Sequence, residues 1–258
     1  MAVWFVTGAA RGMGQRVARE ALRRGHRVAA AASDLAADFA GELLPLELDP
    51  SRPEAAVAQA MSRFGRIDVL VHDLATIQRA PLGETADAQV RAVFDVNVFG
   101  MLAVTRAVLP VLTSQQTGRI IVVGSAAGFS AQAGSGLHRA SMAAVEALCE
   151  ALRAELADDG VRVTVAELGR FNTVPAVFDR EPHRPGDPRK AAAAVVDLLT
   201  VDDPPLRLQL GADAVAHVEA KLEQVAQELD RWRPVSLSTD IDHDDLSGQN
   251  GHRSSPDT

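Results

Sequence analysis

A chain of 258 residues, 47% hydrophobic and 23% charged, has the material for one large core or two small ones. A formal net charge of −8 leaves no basic footprint for nucleic acid, and the single cysteine, Cys149, excludes a disulfide within the chain and fits a reducing, cytoplasmic setting. The start, MAVWFVTGAARG, is not that of a signal peptide, and no apolar run approaches the roughly 20 residues of a membrane span. Short apolar runs predict strands at 3–7, 27–32 and 43–48, with helices over 12–24 and 53–64. A strand at 67–71 and a long helix at 87–113 follow, then a strand at 119–124 and a helix at 137–158. The series closes with a strand at 161–168, a helix at 187–200, a strand at 206–210 and an amphipathic helix over 212–232. Most strands read as continuous apolar runs without clean alternation, as expected where helices cover both faces of a sheet. Strands alternating with helices predict an α/β fold, a doubly wound parallel sheet of seven strands, because each parallel pair needs a crossover. One domain over 1–233 and a polar, disordered tail over 234–258 are expected.

The first strand runs into TGAARGMG, which places Gly8, Gly12 and Gly14 between it and the following helix. Glycines suit a turn that bends sharply and meets a phosphate closely, while free N–H groups at the helix start hold the anion. The spacing differs from G-x-G-x-x-G, and by itself it also fits an ordinary strand-to-helix turn.

With its surroundings, TGAARGMG resembles the cofactor turn of the short-chain dehydrogenase/reductase family, and the resemblance extends over nearly the whole chain. DVLV (68–71), NVFG (97–100) and GRIIVVGSAAG (118–128) are similar to the family's fourth strand, asparagine segment and fifth strand. RWRPVSLSTDID near the C-terminus looks like one bacterial subgroup. The resemblance implies a Rossmann-like sheet and a nicotinamide dinucleotide at Gly8, Arg11, Gly12, Met13 and Gly14. It further implies Asp49 near the adenine, Ser33 and Ala75 near the adenosine ribose, and Thr173 at the nicotinamide amide. Asn97 and Ser125 fall on the family's structural and catalytic Asn and its catalytic Ser.

Three departures stand against this pattern. The family's Tyr follows its Ser by thirteen positions and its Lys follows four later; here those positions hold His138 and Met142. No shift of alignment restores them, since the chain has no tyrosine and its lysines are Lys190 and Lys221. Met142 offers neither charge nor donors, whereas an imidazole exchanges protons near neutral pH without a lysine's help. His138 is thus either a proton-transfer group or a residue of a decayed site. Second, VHDLATI (71–77) stands where the family shows N-N-A-G, and Leu74 and Ala75 are expected to crowd the cofactor. His72 and Asp73 are adjacent on a strand and point to opposite faces, which argues against a relay between them. Third, neither an Asp nor an Arg stands at Ala32 and Ser33, where the family reads the ribose; Arg11 and the absence of an acid at Ala32 favour NADP(H) over NAD(H). Arg139, Asp34 and His183 read as solvated residues.

Three functions remain open at this point. An enzyme doing non-redox proton transfer on a small carbonyl compound would use His138 and Ser125, with Asn97 positioning them; isomerisation, elimination and cyclisation belong to this class. A residual NAD(P)(H)-dependent oxidoreductase is supported by the glycine turn, Asp49 and Thr173. A non-catalytic partner of an intact reductase, or a nucleotide-sensing module, is supported by the double replacement. The resemblance implies a homodimer or homotetramer through 97–113 and 137–158, with a small-molecule substrate and no nucleic-acid or membrane partner.

Overall fold

The apolar runs pair side by side into one sheet. The computed structural model describes residues 1–32, 40–49, 51–73, 75–130, 133–171 and 186–241. Among these, seven strands form the sheet: β1 (Val3–Thr7), β2 (Arg27–Ala31), β3 (Leu43–Leu46), β4 (Val69–His72), β5 (Gly118–Ser125), β6 (Val161–Leu168) and β7 (Arg207–Leu210). Their order is β3-β2-β1-β4-β5-β6-β7, with every neighbouring pair parallel. This is the doubly wound, Rossmann-like architecture expected from the alternation of elements.

Both faces are covered, which is why the inner strands are largely apolar. Trp4, Val6, Val28, Ala30 and Val69 face α1 (Gly12–Arg23) and the later helix Pro188–Asp197. Phe5, Ala29, Leu70, Ile120 and Val122 face the opposite layer, which includes α2 (Glu54–Phe64). Trp4 and Phe5 are fully buried, and each such side chain stabilises the fold by about 2–3 kcal/mol. The winding reverses between β1 and β4, opening a crevice above their carboxyl ends where Thr7 and His72 finish.

The expected single helix over 87–113 is three pieces. A helix α3 (Asp87–Phe94) passes through a wide π-turn, Asp95–Gly100, into α4 (Met101–Gln115). Such a turn shifts the facing of side chains within a helix and recurs at functional sites. Here Asn97 turns inward while Phe99 remains 58% exposed. By length and composition the run Asp87–Gln115 is apolar enough to cross a membrane, which corrects the reading that no run approaches a span. Its apolarity has a local explanation, since Val93, Val98, Met101, Val104, Val108 and Leu112 are buried within the fold.

Two further helices complete the opposite layer and the chain. α5 (Gly136–Glu155) follows β5, and α6 is the helix Pro188–Asp197, whose first turn is capped by the Asp187 carboxylate accepting from Arg189 N at 2.8 Å. α7 (Ala212–Leu237) continues beyond Trp232 through Pro234. The chain divides into two compact units, Met1–Val218 and Glu219–Thr258. In the first, Ala214 and Val218 pack with Ala126; in the second, the helix is exposed except at half-buried Lys221.

Candidate active site

Thr7 fastens the crevice. Its hydroxyl donates to the Val71 carbonyl at 3.3 Å and accepts from Asp73 N at 3.1 Å, tying the end of β1 to the segment after β4. The glycine turn then passes directly over Asp73. Gly8 and Gly12 adopt φ of +66° and +74°, the left-handed region that favours glycine. A side chain on Gly8 would overlap the Asp73 carbonyl oxygen, and a Cβ on Gly14 would lie 2.9 Å from both Asp73 Cβ and Thr7 O. Arg11 is exposed at the entry to α1, while Met13 is buried against the α1 face of the sheet. Gly14 N–H donates to the Asp73 carboxylate. Burial pushes the Asp73 carboxyl up to about 7, against the opposing pull of the Gly14 and Met13 N–H groups.

Across the crevice, one side chain organises three segments. Asn97 Oδ1 accepts from Thr76 N at 2.7 Å, and its Nδ2 donates to Thr76 O at 3.0 Å and to Ser141 Oγ at 2.9 Å. Ser141 in turn donates to the His138 carbonyl at 2.7 Å. The inward twist of the π-turn makes this clamp possible, and it joins the segment after β4 to α5. The Asn97 amide is therefore fully engaged in positioning, and Ser141 and Thr76 join the site without having been singled out from the sequence. His138 is buried on α5, and its Nδ1 has no partner among the described residues. Burial lowers its pKa below the ordinary 6.5; a hydrogen bond to the Thr76 backbone opposes this, and the charges of Arg139 and Arg79 add to it. Ser125 closes β5 opposite Leu168, partly buried. Met142, one turn beyond His138, is packed into the core with Val145 and Cys149.

The remaining expected site residues separate. Asp49 is exposed after β3, and its carboxylate accepts from Ser51 N at 2.9 Å and Ser51 Oγ at 2.7 Å, bonds that hold it below the usual carboxylate range. Ala75 is exposed beside the crevice. Ser33, Asp34, Leu74, Thr173 and His183 lie outside the described residues. His72 turns away from Asp73: its Nε2 meets Thr105 Oγ1 of α4 at 2.9 Å, and burial takes its pKa down to about 3.

An open parallel sheet with a glycine-lined turn at its reversal point is the architecture on which dinucleotides are commonly held. A family model described as short chain dehydrogenase matches residues 2–182. A short-chain dehydrogenase from Streptomyces avermitilis has a structure similar to this one, with a TM-score of 0.84 and 33% identity over 93% of this chain and 98% of that one. An alcohol dehydrogenase from the archaeon Thermococcus sibiricus, complexed with 5-hydroxy-NADP, gives a TM-score of 0.71 at 25% identity, over 81% of this chain and 96% of that one. Oxidoreductase BOA17 of Botryotinia fuckeliana is 29% identical over 92% of this chain and 98% of its own. The chain belongs to the short-chain dehydrogenase family.

The turn fits the family's nicotinamide dinucleotide in shape. Gly8, Arg11, Gly12 and Met13 would hold its diphosphate at the start of α1, where the absence of side chains on the glycines permits close approach. The Asp73 carboxyl beneath the turn is the feature that opposes an anion there.

Proposed function

We propose that this chain is a nicotinamide-dinucleotide-dependent oxidoreductase that interconverts a small alcohol and its carbonyl compound, with His138 as the proton-transfer group. The observation that carries this reading is a buried imidazole on α5 with its pKa lowered by burial; the resemblance of the sequence suggests that it stands in for the family's tyrosine. An imidazole so lowered is neutral at pH 7, so its unpartnered Nδ1 can accept a proton. It takes the proton from the substrate hydroxyl as the carbonyl forms, and Ser125 orients that oxygen from the end of β5. The bound nicotinamide supplies the hydride acceptor. Asn97 holds Thr76 and Ser141, and through them the helix that carries His138. Arg11, exposed in the turn, and the neutral Ala32 favour NADP(H) over NAD(H), because neither repels a 2′-phosphate.

Alcohol oxidation is expected to be steady at neutral and alkaline pH and to fall on the acid side, below the ordinary histidine value of 6.5, as His138 protonates. Absorbance of the reduced nicotinamide, followed across a panel of secondary alcohols, provides the assay. His138→Phe should lower the rate ~10²–10⁴-fold while leaving dinucleotide affinity unchanged. A rate indifferent to that substitution would remove His138 from the chemistry.

Met142 favours a second reading. Its buried thioether puts no positive charge at the family's lysine position, which weakens the hold on the nicotinamide ribose. The same neutral imidazole would then abstract a proton beside a carbonyl without any redox change. Exchange of substrate C–H for deuterium without added dinucleotide would mark this chemistry.

A further inference from the structure

We infer that Asp73 couples dinucleotide binding to the uptake of one proton. The inference rests on the reading that a dinucleotide occupies the glycine turn. In such turns the free N–H groups at the helix start receive the diphosphate. Here the Gly14 N–H already donates to the Asp73 carboxylate, and Oδ2 lies so close beneath the turn that a Cβ on Gly12 or Gly14 would come within 3.2 or 3.0 Å of it. An arriving diphosphate therefore meets a carboxylate at the end of the helix that should attract it.

The surroundings do not neutralise that charge. From β1 the facing group is the Thr7 hydroxyl, which is neutral. From β4, His72 is turned to the opposite face against Thr105, and burial keeps it uncharged. From α1 and its N-cap the cations are Arg11, Arg16, Arg19 and Arg23, and none of them is among the groups that shift the Asp73 carboxyl. A proton is then the available counter-charge. Burial alone has brought the carboxyl to about 7, so the neutral form is accessible at physiological pH, and a bound diphosphate raises its proton affinity further. A protonated Asp73 keeps one oxygen as acceptor for the Gly14 N–H and adds an O–H donor. Binding therefore trades a repulsion for a neutral contact when a proton comes with the ligand.

Calorimetric titration of the full chain with NADH, at pH 6.5, 7.5 and 8.5 in buffers of different ionisation enthalpy, reads both affinity and protons taken up. Above pH 7 affinity should fall towards tenfold for each pH unit, with close to one proton taken up per NADH at pH 8.5. Asp73→Asn preserves the acceptor for Gly14 and should bind with an affinity that no longer changes with pH, tighter than the unaltered chain at pH 8.5. Binding without proton uptake, or the same pH slope in the Asn variant, would overturn the coupling and leave the dinucleotide reading in place. Failure of two folded proteins, the unaltered chain at pH 6.5 and the Asn variant, to bind either NADH or NADPH would overturn the dinucleotide reading and this coupling with it.

A separate observation concerns the second unit. Leu222, Val225, Leu229 and Trp232 of α7 are 56, 47, 53 and 55% exposed and follow one another at spacings of three and four residues. That is the a/d seam of a helix that packs on another helix. The flanking e and g positions are Glu219, Lys221, Ala226, Glu228 and Arg233, two acids and two bases. A flank of balanced sign complements its own copy, with no need for a partner of opposite charge. We propose that residues 219–237 pair with the same segment of a second copy of this chain. This contact is distinct from the 97–113 and 137–158 surfaces that the family resemblance implies. Under mild oxidation, Val225→Cys on the seam should give a disulfide-linked dimer of the full chain, whereas Gln224→Cys beside it should not. Cys149 is buried and does not interfere. Equal linkage of both variants, or of neither, would overturn the pairing.

Discussion

Gly8→Ala is expected to lower the melting temperature of the protein by roughly 6–16 °C, most of which comes from one close approach. The added Cβ overlaps the Asp73 carbonyl oxygen and lies 2.8 Å from its carbon, and both neighbours are backbone atoms that no rotamer change can clear. The residue must also keep φ near +66°, where a side chain costs about 1–2 kcal/mol. Overpacking against a fixed backbone neighbour adds about 2 kcal/mol. A combined loss of about 3–4 kcal/mol is a large part of the roughly 5–15 kcal/mol that holds a domain together, and about 2–4 °C per kcal/mol converts it to the shift above. Gly65→Ala is the matched control. It too has a positive φ, of +74°, but nothing lies within 4 Å of the added carbon, so only the backbone cost applies. Thermal unfolding of the two variants separates strain from collision. Equal losses would mean that the segment around Asp73 yields.

The second large effect is a dependence of stability on pH carried by a buried acid pair. Glu146 of α5 lies against Glu167 of β6, which is completely buried and whose Oε1 has no hydrogen-bond partner among the described residues but lies 4.0 Å from Arg207 Nε. Gln209 donates to Glu167 Oε2 at 3.0 Å, and Arg207 donates to Glu146 Oε2 at 2.9 Å and to Glu150 Oε2 at 2.8 Å. One guanidinium does not balance these carboxylates. Burial first, and the Glu167 charge second, push Glu146 from its ordinary 4.5 up to about 7. The folded protein therefore keeps a proton that the unfolded chain has released throughout the interval from 4.5 to about 7. Stability falls as pH rises through that window and levels off above it, by up to the order of 3 kcal/mol. Asp73 contributes with the same sign, since its folded value is also raised. Glu20 has the opposite sign, because Arg23 and Arg24 hold it down to about 2, but its effect lies below 4.5. Glu146→Gln carries no proton to lose. Its melting temperature should exceed that of the unaltered chain at pH 8 by several degrees and match it near pH 5; the slope that remains combines Asp73 with the opposite contributions of His72 and His138, whose folded values are lowered. A difference in melting temperature between Glu146→Gln and the unaltered chain that does not change between pH 5 and 8 would contradict the arrangement.

These two predictions draw on different kinds of information. Most strands were legible because a strand buried on both faces must be largely apolar, and runs such as VWFVT and the IIVV of 120–123 state that locally. The glycine turn was legible for a similar reason: a positive φ and a close backbone approach restrict the residue type where they occur. The single long helix expected over 87–113 was not wrong in its apolar pattern, but pattern does not reveal a π-turn, because its cause is the demand that Asn97 reach Thr76 and Ser141, 21 and 44 residues away.

The sequence by itself determined the order of elements, the parallel sheet, the turn at Gly8, Gly12 and Gly14, and the imidazole and thioether at positions 138 and 142. Each follows from periodicity, backbone sterics or residue type, all of which are local. Only the tertiary structure decided which polar groups are already engaged and which carry a proton. It bound the Asn97 amide on both of its atoms, left His138 Nδ1 unmatched, and set the carboxyls of Asp73 and Glu146 near neutrality. Desolvation and hydrogen bonding at an atom are sums over whatever segments the fold brings to it, and for these groups the deciding partners come from other strands and helices.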